Sequence, residues 1–204
     1  MRNMGAMMSS SKVDWETPDE LFKKLDDIFG FYMDVCATRE NSKVPGHFIS
    51  PEEDAFTVPW FGPVCWMNPP YGKPELPCRS GGECKKKMCI ERGYHNYKYI
   101  PGIGDWINRA AQQSEEHRMT LVSLLPARTD TGWFQTVFSK ASLIAFLRGR
   151  WKFVGAMAGA TFPSCVAVFS PDDLEDFIFE ELSVLGNVVN PRNGGIFVFQ
   201  KEGF

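Results

Sequence analysis

The feature that most constrains the fold is an apolar strand that runs directly into two consecutive prolines. Val64 to Met67 is an apolar segment of strand length, and Asn68-Pro69-Pro70-Tyr71 follows it without a break. Proline lacks an amide hydrogen and has a fixed φ, so the pair ends any strand ladder and turns the chain out of the sheet. The strand therefore delivers this tetrapeptide to the carboxyl edge of a sheet.

Strand-like and helix-like segments alternate along the chain. Apolar runs of strand length lie at Phe31 to Val35, Val64 to Met67, Met119 to Leu125, Leu143 to Leu147, Val166 to Phe169 and Ile196 to Gln200. Helical patterns lie at Asp105 to His117, Thr131 to Lys140 and Asp172 to Leu185, and an earlier helix ends at Gly30. That earlier helix is predicted to start with a capping box in which Thr17 is the N-cap and Pro18 the first helical residue. The alternation predicts an α/β fold with parallel βαβ units.

Asp34 and Asn68 each come at the carboxyl end of a predicted strand. In open α/β sheets, ligands bind outside the carboxyl ends of the strands, at the point where strand order reverses. We therefore expect Asp34 and Asn68 to belong to one site.

The length and charge of the chain limit its class. Its 204 residues fit a single domain, and a formal net charge of −3 excludes DNA binding through an overall positive charge. The first dozen residues lack the apolar core of a signal peptide, and no segment approaches the roughly 20 apolar residues of a membrane span. We expect a cytoplasmic protein with no membrane partner, in which the six cysteines are free or bind metal rather than form disulfides.

The tetrapeptide Asn68-Pro69-Pro70-Tyr71 has the groups needed to hold an exocyclic amine of a flipped base. The side-chain oxygen of Asn68 and the carbonyl of Pro69 can each accept a hydrogen bond from the amine, and Tyr71 can stack on the ring. The amine lone pair is then left to attack a methyl group. A proline-rich turn that merely ends a strand is the alternative for an isolated tetrapeptide.

Several ordered motifs give the chain a resemblance to a known family. They are Trp15-Glu16-Thr17-Pro18, Asp34-Val35-Cys36-Ala37, Asp54 followed by Trp60, Asn68-Pro69-Pro70-Tyr71, Asp105-Trp106, the segment Leu125 to Thr131 with Trp133-Phe134, Leu147-Arg148-Gly149-Arg150, and Phe162-Pro163-Ser164. With these motifs the chain resembles the phage-encoded DNA N-6-adenine-methyltransferase family. The resemblance extends over nearly the whole chain.

The resemblance implies a Rossmann-like methyltransferase fold with a reduced, mostly parallel sheet, which uses S-adenosylmethionine to methylate adenine N6 in double-stranded DNA. It implies catalytic roles for Asn68, Pro69, Pro70 and Tyr71. It also implies cofactor contacts in three segments, with residues Trp15, Thr17, Pro18, Asp34, Cys36, Ala37 and Asp54. The turn after Asp34 departs from the general methyltransferase pattern because it has no glycine-rich fingerprint.

Two other functions remain open at this point. Asn-Pro-Pro-Tyr also serves methyltransferases that act on protein glutamine or on guanine N2 in RNA, although these relatives normally carry the glycine-rich loop that is missing here. A non-catalytic DNA-binding module of the same fold is the second alternative, and the intact Asn68 to Tyr71 motif argues against it.

Residues 74–104 form a Cys/Lys-rich insert with little periodicity. Its Cys78, Cys84, Cys89 and His95 follow a C-x5-C-x4-C-x5-H spacing. Three thiolates and an imidazole can complete a tetrahedral zinc site, and the metal would order a segment too short for its own core. The spacing lacks the tight C-x2-C pair of common zinc sites, so free surface or buried thiols are the alternative.

Basic residues of the chain are concentrated in two places that could contact DNA phosphates. The predicted contacts in the insert are Arg79, Lys85, Lys86 and Lys87, and those outside it are Arg128, Arg148 and Arg150. A lysine run is often only a solvated surface. The strip around Arg148 and Arg150 could equally be a strand edge protected by charge.

Overall fold

The protein, described here from a computed structural model, is defined at residues 15–78, 84–192 and 195–197. The strands are β1 (Met33–Asp34), β2 (Val64–Met67), β3 (Thr120–Pro126), β4 (Leu143–Leu147), β5 (Ser164–Phe169), β6 (Gly186–Asn190) and β7 (Gly195–Phe197). The helices are α1 (Asp19–Phe29), α2 (Lys87–Arg92), α3 (Ile103–His117), α4 (Gly132–Lys140) and α5 (Asp176–Leu185). Within this described part, all the strands form one sheet in the order β1-β2-β3-β5-β4-β6-β7.

The sheet is mixed, so the predicted mostly parallel sheet is confirmed only for the first three strands. Strands β1, β2 and β3 pair in parallel, whereas the pairings β3 with β5, β4 with β5, β4 with β6 and β6 with β7 are antiparallel. Helix α4 does connect two strands that run in the same direction, β3 and β4. Strand β5 then inserts between them with the opposite direction, and an alternating pattern along the sequence cannot reveal such an insertion.

Alternate residues of the central strands face two hydrophobic cores. Cys65 and Met67 of β2 pack in the core beneath α3 and α4, whereas Trp66 packs in the core beneath α1 and α5. A sheet covered by helices on both faces is the usual α/β solution for burying apolar strands. The predicted α/β class is thus confirmed.

Helix α1 does not have the predicted capping box. The helix begins at Asp19 with Pro18 in the N-cap position, and no side chain caps it. The Thr17 hydroxyl instead accepts a hydrogen bond from the Asn68 side chain at 2.9 Å. Thr17 is buried, and its oxygen provides the hydrogen-bond acceptor that the partly buried Asn68 amide requires. Asn68 is far from Thr17 in the chain, so the local sequence around Thr17 does not indicate this contact.

Strand β6 was not predicted from the sequence, because Gly186–Asn190 contains only two apolar residues. A Cβ at Gly186 would lie 1.9 Å from the carbonyl oxygen of Phe146, so only glycine allows β6 to approach β4 this closely. The last strand was predicted to reach Gln200, but residues 198–200 lie outside the described part of the chain.

Within the described residues, no helix combines the length and apolar character needed to span a membrane.

Candidate active site

A cavity of about 790 Å³ opens at the carboxyl ends of β1 and β2. Its wall contains most of the residues predicted for cofactor and catalysis, namely Trp15, Thr17, Asp34, Cys36, Ala37, Asp54, Asn68, Pro69 and Pro70. Strands β1 and β2 are parallel, with Asp34 opposite Trp66, so the ends of the two strands meet at one edge. This register is what brings the Asp34 turn and the Asn68 motif together.

The Asn68 side chain is held by three neighbours. Its Nδ2 donates to the Trp15 carbonyl and to the Thr17 hydroxyl, and its Oδ1 accepts from the Tyr71 hydroxyl at 2.7 Å. A carbonyl can only accept, so the atom that faces Trp15 must be the amide nitrogen. The orientation of the Asn68 amide is therefore determined, and one lone pair of Oδ1 remains beyond the one used by Tyr71.

Tyr71 is in the motif but is not part of the cavity wall. Its hydroxyl also lies 3.1 Å from the Leu124 carbonyl, and its ring makes edge contacts with Phe153 and Phe162 at centroid distances of 6.5 and 5.8 Å. Burial raises the pKa of the Tyr71 hydroxyl well above its usual value, so the group stays protonated and can donate to Asn68. The Tyr71 ring therefore packs in the hydrophobic core, and its hydroxyl reaches Asn68 from that side.

Asp34 is a buried carboxylate at the end of β1. Its two oxygens accept backbone hydrogen bonds from Cys36 at 3.2 Å and from Lys43 at 3.0 Å, and these bonds shape the turn from residue 34 to 43. Burial raises the pKa of Asp34 to about 6, and the hydrogen bonds from Lys43 and Cys36 partly oppose this rise. The turn has no glycine-rich segment, but the Asp34 carboxylate holds it in place.

Two of the predicted cofactor residues differ in position, because Asp54 lines the cavity and Pro18 does not. Asp54 is exposed, has a φ of 60°, and accepts a backbone hydrogen bond from Phe56 at its side chain. Aspartate tolerates this left-handed conformation better than most residues do. Pro18, by contrast, lies next to the cavity segment at the start of α1 and is not among the residues that line the cavity.

Several residues of the cavity wall were missed by the sequence reasoning. Lys43 lines the cavity, and its ammonium contacts Glu16 at 3.1 Å and Asp19 at 2.6 Å. Val154 reaches the wall because its amide donates to the Glu16 carbonyl at 3.0 Å. These contacts join residues that are far apart in the chain, and no local pattern indicates them.

The residues that line the cavity all lie within a segment that matches a known protein family. The DNA N-6-adenine-methyltransferase (Dam) family matches residues 5–167, which include the Asp34 turn, the Asn68 motif and the insert. The DNA N-6-adenine-methyltransferase of Haemophilus phage HP1 is 30% identical over 170 residues, which cover 79% of this chain and 81% of that protein. The chain belongs to the DNA N-6-adenine-methyltransferase family.

A second relative is more distant. The DNA N-6-adenine-methyltransferase of Escherichia phage T1 is 27% identical over 136 residues, which cover 65% of this chain and 44% of that protein. The predicted family and enzyme class, a DNA adenine methyltransferase, are confirmed by the family match and by the phage HP1 relative.

The basic residues predicted outside the insert lie at the edge of the sheet that carries the family motif. Strands β3 and β4 are both antiparallel to β5, so they run in the same direction as each other and as β2. Arg128 and Arg148 come just after the carboxyl ends of β3 and β4, and both are exposed, as is Arg150. The guanidinium of Arg128 lies 6.0 Å from the centroid of the Phe162 ring.

The lysines of the insert have different surroundings. The Lys86 ammonium donates to the carbonyls of Leu76 at 2.6 Å and Pro77 at 3.3 Å, so it supports the insert itself. Lys87 lies 3.7 Å from Glu91, and Lys85 is exposed. Arg79, which was also predicted to contact DNA, lies outside the described residues.

The four predicted metal ligands of the insert are brought together. The ligand atoms of Cys78, Cys84, Cys89 and His95 all lie within 4.8 Å of one another. Helix α2 carries Cys89, and a glycine with φ of 78°, Gly93, ends that helix before His95. The four residues predicted from their spacing thus form one cluster.

Proposed function

We propose that the cavity binds S-adenosylmethionine beside Asn68, and that Asn68 and Pro69 hold the N6 amine of a flipped adenine for methylation in double-stranded DNA. The observation that carries this proposal is the Asn68 amide, which is held in one orientation on the wall of a cavity of about 790 Å³. A methyltransferase of this family requires a methyl donor, and the cavity has the size of a small-molecule site.

The charge of the cavity wall suits this cofactor. S-adenosylmethionine carries a sulfonium, an ammonium and a carboxylate group and so has a net positive charge, and the wall contains the carboxylates of Glu16, Asp34 and Asp54. The Lys43 ammonium in the same wall pairs with Glu16 and with Asp19, which leaves Asp34 and Asp54 for the cationic groups of the cofactor. The parallel strands β1 and β2, with a ligand cavity at their carboxyl ends, support a Rossmann-like mode of binding.

The chain's own groups then act on the amine. The bound cofactor supplies an electrophilic methyl group. Asn68 Oδ1 has a lone pair beyond the one used by Tyr71, and the Pro69 carbonyl provides a second acceptor for the N6 hydrogens. Two acceptors in fixed positions orient the amine and stabilise the positive charge that develops on it.

The experiment that tests the function uses the full chain, radiolabelled S-adenosylmethionine and double-stranded DNA. We expect label to enter DNA and to appear as N6-methyladenine after digestion to nucleosides. Labelling of RNA or of protein glutamine, with none in DNA, would favour the other amine substrates. A chain that binds DNA but does not bind S-adenosylmethionine in a titration would be a non-catalytic module.

Protonation of Asp34 is expected to weaken cofactor binding. With a pKa of about 6, Asp34 is mostly ionised at neutral pH and gains a proton as the pH falls. At about pH 5 only roughly one-tenth of the carboxylate is ionised, so the affinity for S-adenosylmethionine should be about tenfold weaker than at about pH 8.

Titration calorimetry across this range measures the effect. Asp34→Asn should bind the cofactor weakly at all of these pH values and lose most of the pH dependence. Asp172→Asn, which removes an exposed carboxylate paired with Arg118, is the matched control and should behave like the wild type. If the affinity of Asp34→Asn keeps the full pH dependence, another group is responsible for it.

Arg148 and Arg150 are expected to contact DNA phosphates. Replacing both with alanine should reduce the slope of log affinity against log salt concentration by about 0.9 for each phosphate that is no longer neutralised. Fluorescence anisotropy with labelled duplex DNA at several salt concentrations measures the slope. Arg118→Ala removes an exposed arginine that is paired with Asp172, and it should leave the slope unchanged. Strand β4, which precedes Arg148, pairs with a strand on each side, so these arginines do not protect an edge strand. An unchanged slope in the double variant would show that the two arginines do not contact DNA phosphates.

A further inference from the structure

The cluster in the insert has the dimensions of a metal site. The Cys78 sulfur lies 3.6 Å from that of Cys84 and 3.4 Å from that of Cys89, and His95 completes a group of four ligand atoms within 4.8 Å. Sulfurs bound at about 2.3 Å to a tetrahedral zinc ion are about 3.8 Å apart. We propose that Cys78, Cys84, Cys89 and His95 bind one Zn²⁺ as a structural site.

A disulfide does not account for this arrangement. Bonded sulfurs are about 2.05 Å apart, and one sulfur can bond only one partner. Cys78 is close to both Cys84 and Cys89, so a bond to either would leave the other thiol without a role. Three thiols and an imidazole around one point fit a single ion with the Cys₃His ligand set of structural zinc sites.

In the insert, two of the predicted metal ligands are buried while several large apolar side chains are exposed, which is the reverse of an ordinary small core. Cys78 and Cys89 are only 6% and 2% exposed. Four large apolar and aromatic side chains of the same segment have more than half of their surface exposed, namely Leu76, Ile90, Tyr94 and Tyr97. The described part of the insert thus has ligands where a core would be. A segment of this kind gains its order from a metal rather than from apolar burial.

Hydrogen bonds to the backbone hold the segment around Cys78 in place. The Cys78 amide donates to the Asn96 carbonyl at 2.7 Å, which ties the first ligand to the residue that follows His95. The Lys86 ammonium holds the carbonyls of Leu76 and Pro77, and so fixes the chain just before Cys78. Cys78 is therefore tied both to the segment that carries His95 and to Lys86, the residue just before the helix that carries Cys89.

The base of the insert is joined to the cavity. Glu75 and Ile100 exchange backbone hydrogen bonds of 2.9 and 3.0 Å, and a Cβ on Gly102 would lie 2.4 Å from the Pro74 nitrogen. The chain that leaves this base, Tyr99 to Pro101, forms part of the cavity wall. The metal would therefore fix a rigid element at the mouth of the cavity, with exposed tyrosines and lysines available for DNA. This role in DNA binding rests on the proposed function, whereas the metal site does not.

The metal site is tested first, without reference to activity. The full chain, purified from cells grown with zinc, should contain about one zinc per chain. Replacement of the zinc with Co²⁺ should give the visible absorption of a tetrahedral thiolate site. Cys89→Ser and His95→Ala should each lose most of the metal or change this spectrum. His117→Ala replaces another exposed histidine, and Cys65→Ser replaces a buried cysteine outside the insert, so both should keep the metal.

Three outcomes would overturn the metal site. They are protein that neither contains zinc nor takes it up on reconstitution, a disulfide between two of the three cysteines in mass spectra, and both ligand variants with unchanged metal content and an unchanged cobalt spectrum. Should Cys89→Ser fail to fold, the cobalt spectrum of the wild type and the metal content of His95→Ala still decide the question. Hydrogen exchange of the amides in α2 should become faster when the metal is removed.

The role of the insert is tested separately. Metal-free protein and Cys89→Ser should lose DNA affinity while S-adenosylmethionine affinity changes little. Replacing Lys85 and Lys87 with alanine should retain the zinc and reduce the salt dependence of DNA affinity, whereas Lys86 is left in place because it supports the insert. Zinc binding with no effect on DNA affinity would refute the role at the cavity mouth and leave the metal site intact. A zinc protein without methyl transfer would contradict the proposed function alone.

Discussion

Replacing Asn68 with alanine is expected to lower kcat for methyl transfer by about 10²–10³-fold, the usual effect of removing one preorganised polar group that stabilises developing charge. The substitution removes Oδ1 as acceptor for the adenine amine. The affinity for S-adenosylmethionine should change by only a few fold, because the Asp34 turn and the acidic wall remain in place.

The measurement combines single-turnover methylation of duplex DNA with a cofactor titration and circular dichroism. Asn108→Ala changes an exposed asparagine on α3 and should retain wild-type rates. Thr17→Val removes one of the two acceptors that face Asn68 Nδ2, so an intermediate loss of kcat is expected. A rate within about tenfold of wild type in Asn68→Ala would show that Asn68 only organises the turn.

Removing the Tyr71 side chain is expected to destabilise the protein as well as impair catalysis. The ring packs against Phe153 and Phe162, so Tyr71→Ala should reduce the free energy of unfolding by about 3 kcal/mol. Tyr71→Phe keeps the ring and loses the hydroxyl, which donates to Asn68 Oδ1. That variant should stay close to wild type in stability and lose about fivefold in kcat, because one hydrogen bond that orients the amide is worth about 1 kcal/mol.

Denaturant unfolding, kcat and DNA affinity together distinguish the possible roles of Tyr71. Stacking on the flipped base, as predicted from the sequence, requires the ring to reach the cavity, and the phenyl ring of Tyr71→Phe would preserve it. In that case Tyr71→Phe would have the wild-type kcat, and Tyr71→Ala would mainly weaken DNA binding. A lower kcat in Tyr71→Phe, with unchanged DNA affinity, supports the role in positioning Asn68.

Much of the architecture was accessible from the sequence because local patterns determine it. The strand before Asn68 has the predicted bounds, and so does Leu143–Leu147, since apolar runs bordered by prolines or polar residues leave little freedom. Asp34 and Asn68 were expected together because both follow strands, and the parallel register of β1 and β2 confirms this. The cysteine spacing likewise indicated one cluster, whose four ligand atoms do converge.

Contacts between distant segments were decided by the tertiary structure alone. Strand β5 lies between β3 and β4 because the pairing of strands depends on the packing of the whole sheet, which makes the sheet mixed. Thr17 was expected to cap α1, yet its hydroxyl accepts a hydrogen bond from Asn68, 51 residues away. An unpaired amide costs more free energy when it is partly buried than an uncapped amide costs at the solvated end of a helix. The sequence thus indicated the motifs that form the site, whereas long-range packing decided which partner each group holds and which further residues, such as Lys43, line the cavity.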